Sequence, residues 1–170
     1  MSRRYWLLKS DPDTFGLAEL QRCAEQTTCW DGVRNYQARN LLRDEVQAGD
    51  GVLFYHSQAE PPAVVALARV VRAGYPDPTQ FDPRSQYHDP AADRAAPRWY
   101  AVDIRLERPL ARPVTLAELR GEPALRKMGL LRKGNRLSVQ PVSPAEWKVV
   151  LGLGSGLSPA RLTGARGARK

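Results

Sequence analysis

The sequence predicts an α+β fold, a curved mixed sheet or small β-barrel of five to six strands with short helices packed around it. Three observations carry this expectation. Strand-like apolar runs recur along the 170 residues without the regular alternation of strand and helix that builds a parallel α/β sheet. Helix starts are well marked, yet the helical patterns behind them fade within two or three turns. A proline-rich stretch in the middle of the chain breaks both periodicities.

Taken in order, Tyr5 to Lys9 is an aromatic and aliphatic run ended by Ser10, Asp11, Pro12 and Asp13, which reads as a buried strand and a turn. Leu17 opens a short helix, with Gly16 as N-cap and Glu19 at the third helical position, and the pattern fades after Cys23. Tyr36 to Asp44 reads as a second helix, its apolar face made by Ala38, Leu41 and Leu42. After the turn at Gln47 to Gly51, Val52 to Tyr55 is a strand ending in His56 and Ser57. Pro61 and Pro62 break the chain. Valine-rich Ala63 to Val71 should pair beside the preceding strand, and Tyr100 to Leu106 alternates as a half-exposed strand does. Between them, Tyr75 to Pro97 holds five prolines and no long apolar run, so it reads as an extended loop. Its aromatics Tyr75, Phe81 and Tyr87 mark it as ordered and functional, because disordered linkers are poor in aromatics. Thr115 to Glu118 and Ser143 to Glu146 both fit the capping box, and Leu137 to Val142 is the strand before the last helix.

Length and a hydrophobic content of 42% suit one domain with one ordinary core, here residues 1–152. Residues 153–170 read as a basic, disordered tail, since they hold few large apolar groups to offset the entropy of ordering. The net charge of +8 suits a polyanionic partner, although about half of it belongs to that tail. Cys23 and Cys29 form no metal-ligand spacing with His56 and His88, so no metal is expected. No apolar run is long enough for a membrane span or a signal peptide, which points to a soluble protein of the cytoplasm or, in a eukaryote, the nucleus.

The densest chemistry lies in Trp30 to Asn40, where indole, carboxylate, guanidinium, amide and phenol open a helix. A nucleobase pocket wants flat aromatic walls, amides against a Watson–Crick edge and cations outside for phosphates. Trp30 as a core aromatic and Asn35 as an N-cap is the structural alternative. Lys9 and Ser10, like His56 and Ser57, sit where strands run out, a common place for ligand contacts and also for plain turns. Arg132, Lys133 and Arg136 flank Gly134 and Asn135 in a loop suited to phosphates or to a solvated hairpin. The common nucleotide-loop, nucleophile-elbow, zinc-protease and dinucleotide signatures are all absent.

In this order, the segments YWLLKSDPD, WDGVRNYQARN, GDGVLFYHS, YPDPTQFDP, PRWYAVDIR, RPVTLAEL and LLRKGNRLSVQPVS resemble an EVE domain, a PUA-like family, from Tyr5 to about Leu151. The resemblance implies a small β-barrel with flanking helices and non-covalent recognition of a flipped-out modified base. Modified cytosine in DNA is the leading ligand and modified RNA is also considered. It implies Trp30 as a cage wall, Ser10 and Asn35 at the base edge, and Phe81 or Tyr87 closing a pocket completed by Asp31, Tyr36, His56, Ser57 and Ser138. Phosphate contacts are expected from Lys9, Arg34, Arg39, Arg132, Lys133 and Arg136. No catalytic residue, cofactor or metal is expected, and an effector protein encoded elsewhere is a possible partner. Two alternatives stand beside this reading. One is a PUA-type RNA-binding module indifferent to modification, and the other an ASCH-like amidohydrolase acting on a modified nucleoside, with Lys9 or Asp31 as base.

Overall fold

The computed structural model describes residues 3–156. Six strands form one mixed sheet: β1 (Tyr5–Ser10), β2 (Thr27–Trp30), β3 (Gly51–His56), β4 (Ala63–Pro76), β5 (Tyr100–Thr115) and β6 (Val139–Val142). Four helices accompany them: α1 (Leu17–Arg22), α2 (Tyr36–Asp44), α3 (Leu116–Arg120) and α4 (Pro144–Leu153). The strand order is β2-β5-β4-β3-β1-β6, with β1 and β3 parallel and every other pair antiparallel.

Strand alternation sorts the apolar side chains into two cores. Trp6, Leu8, Val52, Phe54, Ala66, Ala68 and Val70 face one way, joined by Trp30, Ile104 and Val139, so that all six strands contribute. Leu20 of α1 with Ala38 and Leu42 of α2 closes this first core. Leu7, Leu53, Tyr55 and Leu67 face the other way, under Leu119 of α3 and Trp147 and Val150 of α4. The sheet therefore wraps one core and carries helices over the second, a rough barrel. Its edges β2 and β6 do not pair, so the barrel stays open.

Local signals placed the helices well. Asn35 caps α2, its side chain accepting from the Ala38 N–H at 3.0 Å. Thr115 and Ser143 each form the reciprocal capping box, with Glu118 and Glu146 respectively. Three strand expectations need correction. β2 was not foreseen, and it exists because Thr27 to Trp30 pairs with Arg105 to Val102 of β5. β4 runs past Val71 to Pro76, and β5 runs past Leu106 to Thr115. Both continue through a series of register shifts, which let Pro109 sit opposite Ala66 within the ladder. The expected boundary after residue 152 falls inside the last turn of α4, and most of the expected tail, 157–170, lies outside the described residues.

Candidate functional site

A cavity of about 400 Å³ opens where the barrel fails to close. Thr28, Cys29 and Trp30 of edge strand β2 form one side, and Lys9 and Ser10 of β1 with Ser138 just before β6 form the other. Asp11, Thr14 and Phe15 of the β1–α1 turn, Asp31 to Arg34, and Gln86 and Tyr87 of the long loop complete the lining. A sheet edge leaves backbone groups without ladder partners, so a gap between two edges is a natural place for a polar ligand.

Trp30 belongs to the core and the cavity at once. It is 7% exposed and meets Phe54 edge to face at 5.6 Å, which fixes its plane. Tyr87 is positioned by a buried polar clamp. Asp77, with no exposed side-chain surface, accepts from the Gly32 N–H at 2.8 Å, from Arg34 at 3.0 Å, and from the Thr79 N–H and hydroxyl at 2.8 and 2.6 Å. Arg34 spends all five of its N–H groups inside the protein, on Asp77, Thr79, the Val33 carbonyl and, twice, the Tyr87 carbonyl. Its guanidinium lies 5.8 Å from the Tyr87 ring centre and 5.3 Å from that of Trp99. Gly32, at φ +79°, lets the Tyr87 ring lie on the backbone, where an added Cβ would come within 2.7 Å of it.

The loop behind this wall is held equally firmly. The buried Gln80 side chain donates to the carbonyls of Asp77 and Trp99 and accepts from the N–H groups of Arg98 and Trp99. Trp99 in turn donates its indole N–H to Asp89 at 2.8 Å. The expectation of an ordered loop is met, through residues that the sequence reading passed over. Asp77, Thr79 and Gln80 were not singled out, although Asp77-Pro78-Thr79 carries the Asx-type capping signal that the structure uses.

Electrostatics limit what the cavity can do. Partial burial, with Asp31, Asp77 and Asp103 adding to it and Tyr75 opposing it, pushes the Cys29 thiol up to about 11. It is a poor nucleophile there. Burial lowers the Lys9 pKa and raises that of Asp31, the latter helped by the nearby Asp77. Tyr87 is raised by burial first and Asp31 second.

Of the expected pocket residues, Ser10, Trp30, Asp31, Tyr87 and Ser138 line this cavity, joined by Lys9 and Arg34 from the expected phosphate set. Ser10 donates its hydroxyl to the Phe15 carbonyl. The other residues lie elsewhere. His56 accepts from the Leu17 N–H at 3.1 Å and so caps α1, and burial lowers its pKa. The Ser57 N–H donates to the Ser10 carbonyl, tying the strand ends together. Tyr36 is 54% exposed and stacks on Trp99 at 5.0 Å, with Arg39 over its ring. Phe81 sits under Arg94, 4.6 Å from the guanidinium. Arg34, expected to face phosphate, is 24% exposed and spent internally.

Asn35 lines a second cavity of about 520 Å³ with Gln37, Arg132, Lys133, Gly134, Asn135, Arg136 and Leu137. The two cavities abut along the chain twice, between Arg34 and Asn35 and between Leu137 and Ser138. Arg126 to Arg136 holds five cations and no carboxylate. Among the described residues, Arg132, Lys133 and Arg136 enter no ion pair, whereas Arg43, Arg98 and Arg112 each hold a carboxylate. Arg39 is partly engaged, donating to Asn40 and to the Arg98 carbonyl. Among the described residues, no cluster of three or more His, Cys, Asp or Glu could hold a metal ion, and no helix is long and apolar enough to cross a membrane.

Known proteins share this architecture. Thymocyte nuclear protein 1 of Danio rerio is 40% identical over 87% of this chain and 71% of its own length. A crystal structure of a protein from Pseudomonas putida is 44% identical, with a TM-score of 0.83 over 88% of this chain and 98% of that one. Human THYN1 protein, solved in complex with DNA containing 5-methylcytosine, is 37% identical, with a TM-score of 0.84 over 92% of this chain and 99% of that one. The model of the EVE domain matches residues 4–153, and the chain belongs to the EVE domain family.

Proposed function

We propose that this chain is a nucleic-acid-binding module that takes a flipped-out modified base, modified cytosine in DNA first, into the cavity between β2 and β1. The observation that carries the reading is the cavity itself, with aromatic residues Trp30 and Tyr87 in its lining and Ser10, Asp31 and Ser138 as polar groups within base-edge reach of its interior. The human THYN1 relative, solved with 5-methylcytosine DNA, supports DNA as the partner. Base–aromatic stacking supplies roughly 1–3 kcal/mol, and extrusion costs a few kcal/mol, so affinity must be completed by phosphates. Arg132, Lys133 and Arg136 in the adjoining cavity, with Lys9 and Arg39, supply those contacts, and Asn35 lies at the junction rather than deep in the pocket. Two free, partly exposed cysteines suit a reducing compartment, the cytoplasm or a nucleus.

The test is binding of matched oligonucleotides, DNA and RNA, that differ at one site: cytosine, 5-methylcytosine, 5-hydroxymethylcytosine or N6-methyladenine. One modified strand is expected to bind at least about tenfold tighter, about 1.4 kcal/mol. Tyr87→Ala is expected to remove that preference while leaving the fold intact, since the clamp's hydrogen bonds go to the Tyr87 backbone carbonyl and not to its ring. Trp30→Ala is the weaker probe because Trp30 also packs the core. Equal binding of every strand by the wild type would favour an RNA or DNA module indifferent to modification, and release of a product from a free nucleoside would favour an enzyme.

A further inference from the structure

The geometry points to Asp31 as the residue that selects the base: its carboxylate accepts from an exocyclic amine and turns away a base that presents a carbonyl there. This rests on the reading of the cavity as a base pocket. Asp31 lines the cavity between Trp30, its chain neighbour, and Tyr87. Among the described residues, no side chain donates a hydrogen bond to its carboxylate, and its own backbone N–H goes to the Cys29 carbonyl at 3.0 Å. The cation that acts on it, Arg34, has no N–H left to give, because all five are engaged with Asp77, Thr79 and two carbonyls. An ionised carboxylate is acceptor-only, so Asp31, exposed and without a protein donor, offers its oxygens to a ligand that brings N–H groups. The other polar groups of the wall discriminate less: the Ser10 hydroxyl is turned to the Phe15 carbonyl, and serine serves as donor or acceptor alike.

Cytosine and its 5-substituted forms present the N4 amine, for which a carboxylate is the matching acceptor. Thymine has the same ring and the same 5-methyl group as 5-methylcytosine but carries a carbonyl oxygen at that position. Stacking on Trp30 and Tyr87 and any contact with the methyl group are thus shared, and only the edge differs. A carboxylate facing a carbonyl leaves two acceptors opposed, and a site built for a donor rejects the analogue lacking it far more strongly than it senses a missing methyl. An asparagine at position 31 can turn its NH2 toward the carbonyl instead.

The experiment compares four DNA strands differing at one position: 5-methylcytosine, cytosine, thymine and an abasic residue, with wild type and Asp31→Asn at fixed salt and neutral pH. Wild type is expected to bind 5-methylcytosine at least about tenfold tighter than thymine. Asp31→Asn is expected to bring that ratio below about threefold, mainly by gaining thymine binding, with abasic-strand affinity unchanged; the gain shows that the variant is folded. Retention of the full wild-type ratio by Asp31→Asn overturns the role of Asp31 and leaves the base pocket standing. Equal affinity of the wild type for 5-methylcytosine and the abasic strand overturns the pocket itself, and this inference with it.

Discussion

Single residues here do work that their type alone does not reveal. Arg34 and Asp77 form a pair whose acid is fully buried and whose base is largely so, and Thr79 and Gly32 satisfy the remaining acceptor sites. Removing one partner of such a pair strands the other without compensation. Asp77→Ala is expected to cost about 3–5 kcal/mol in urea unfolding and to abolish base preference by releasing Tyr87; a loss under about 1 kcal/mol, the scale of an exposed pair, would show that the clamp does not hold the loop. Asp31 is the opposite case. Although the residue is exposed, partial burial of its carboxyl and the nearby Asp77 raise its pKa in the folded protein, so folding disfavours its ionised form, and Arg34 only partly opposes this. That penalty is absent below the unfolded-state pKa and grows as pH rises through the folded one. Asp31→Asn is therefore expected to raise Tm near pH 7, with the gain fading on acidification through the carboxylate range. A gain that grew in acid would reverse the sign of this assignment.

At the scale of elements, the basic segment from Arg126 to Arg136 is anchored from beneath and free above. Leu125, Met128 and Leu130 are buried in the second core, while Arg126, Lys127, Arg132, Lys133 and Arg136 are exposed. The segment is thus a fixed cationic strip rather than a floppy hairpin. Each of Arg132→Ala, Lys133→Ala and Arg136→Ala is expected to flatten the slope of log affinity against log salt by about 1, equally for modified and unmodified strands. Unchanged slopes in all three would remove this strip from the nucleic-acid interface. The helices were legible because their signals lie within a turn: Asn35 with Ala38, Thr115 with Glu118, and Ser143 with Glu146. β2 was not, because four residues without clear alternation become a strand only by pairing with Arg105 to Val102, far along the chain. The extent of β5 was hidden by Pro109 and Pro113, which argue against a strand until bulges accommodate them.

Across the whole molecule, the open barrel, its two cores and its two abutting cavities come from long-range pairing. From its own local chemistry the sequence determined the α+β class, four helix starts, the buried runs of β1, β3 and β4, and the clustering of cations at 132–136. It also brought Trp30, Asp31 and the aromatic loop forward as a site. Tertiary structure decided which of those residues share a cavity. His56 was taken up in capping α1 and Ser57 in tying the end of β3 to that of β1, and Tyr36 and Phe81 turned to Trp99 and Arg94. Arg34 was claimed by an aspartate 43 residues away. The physical reason is range: capping, turns and alternation act over a few residues and can be read from the chain, whereas register and the position of the unpaired edges depend on the whole sheet at once.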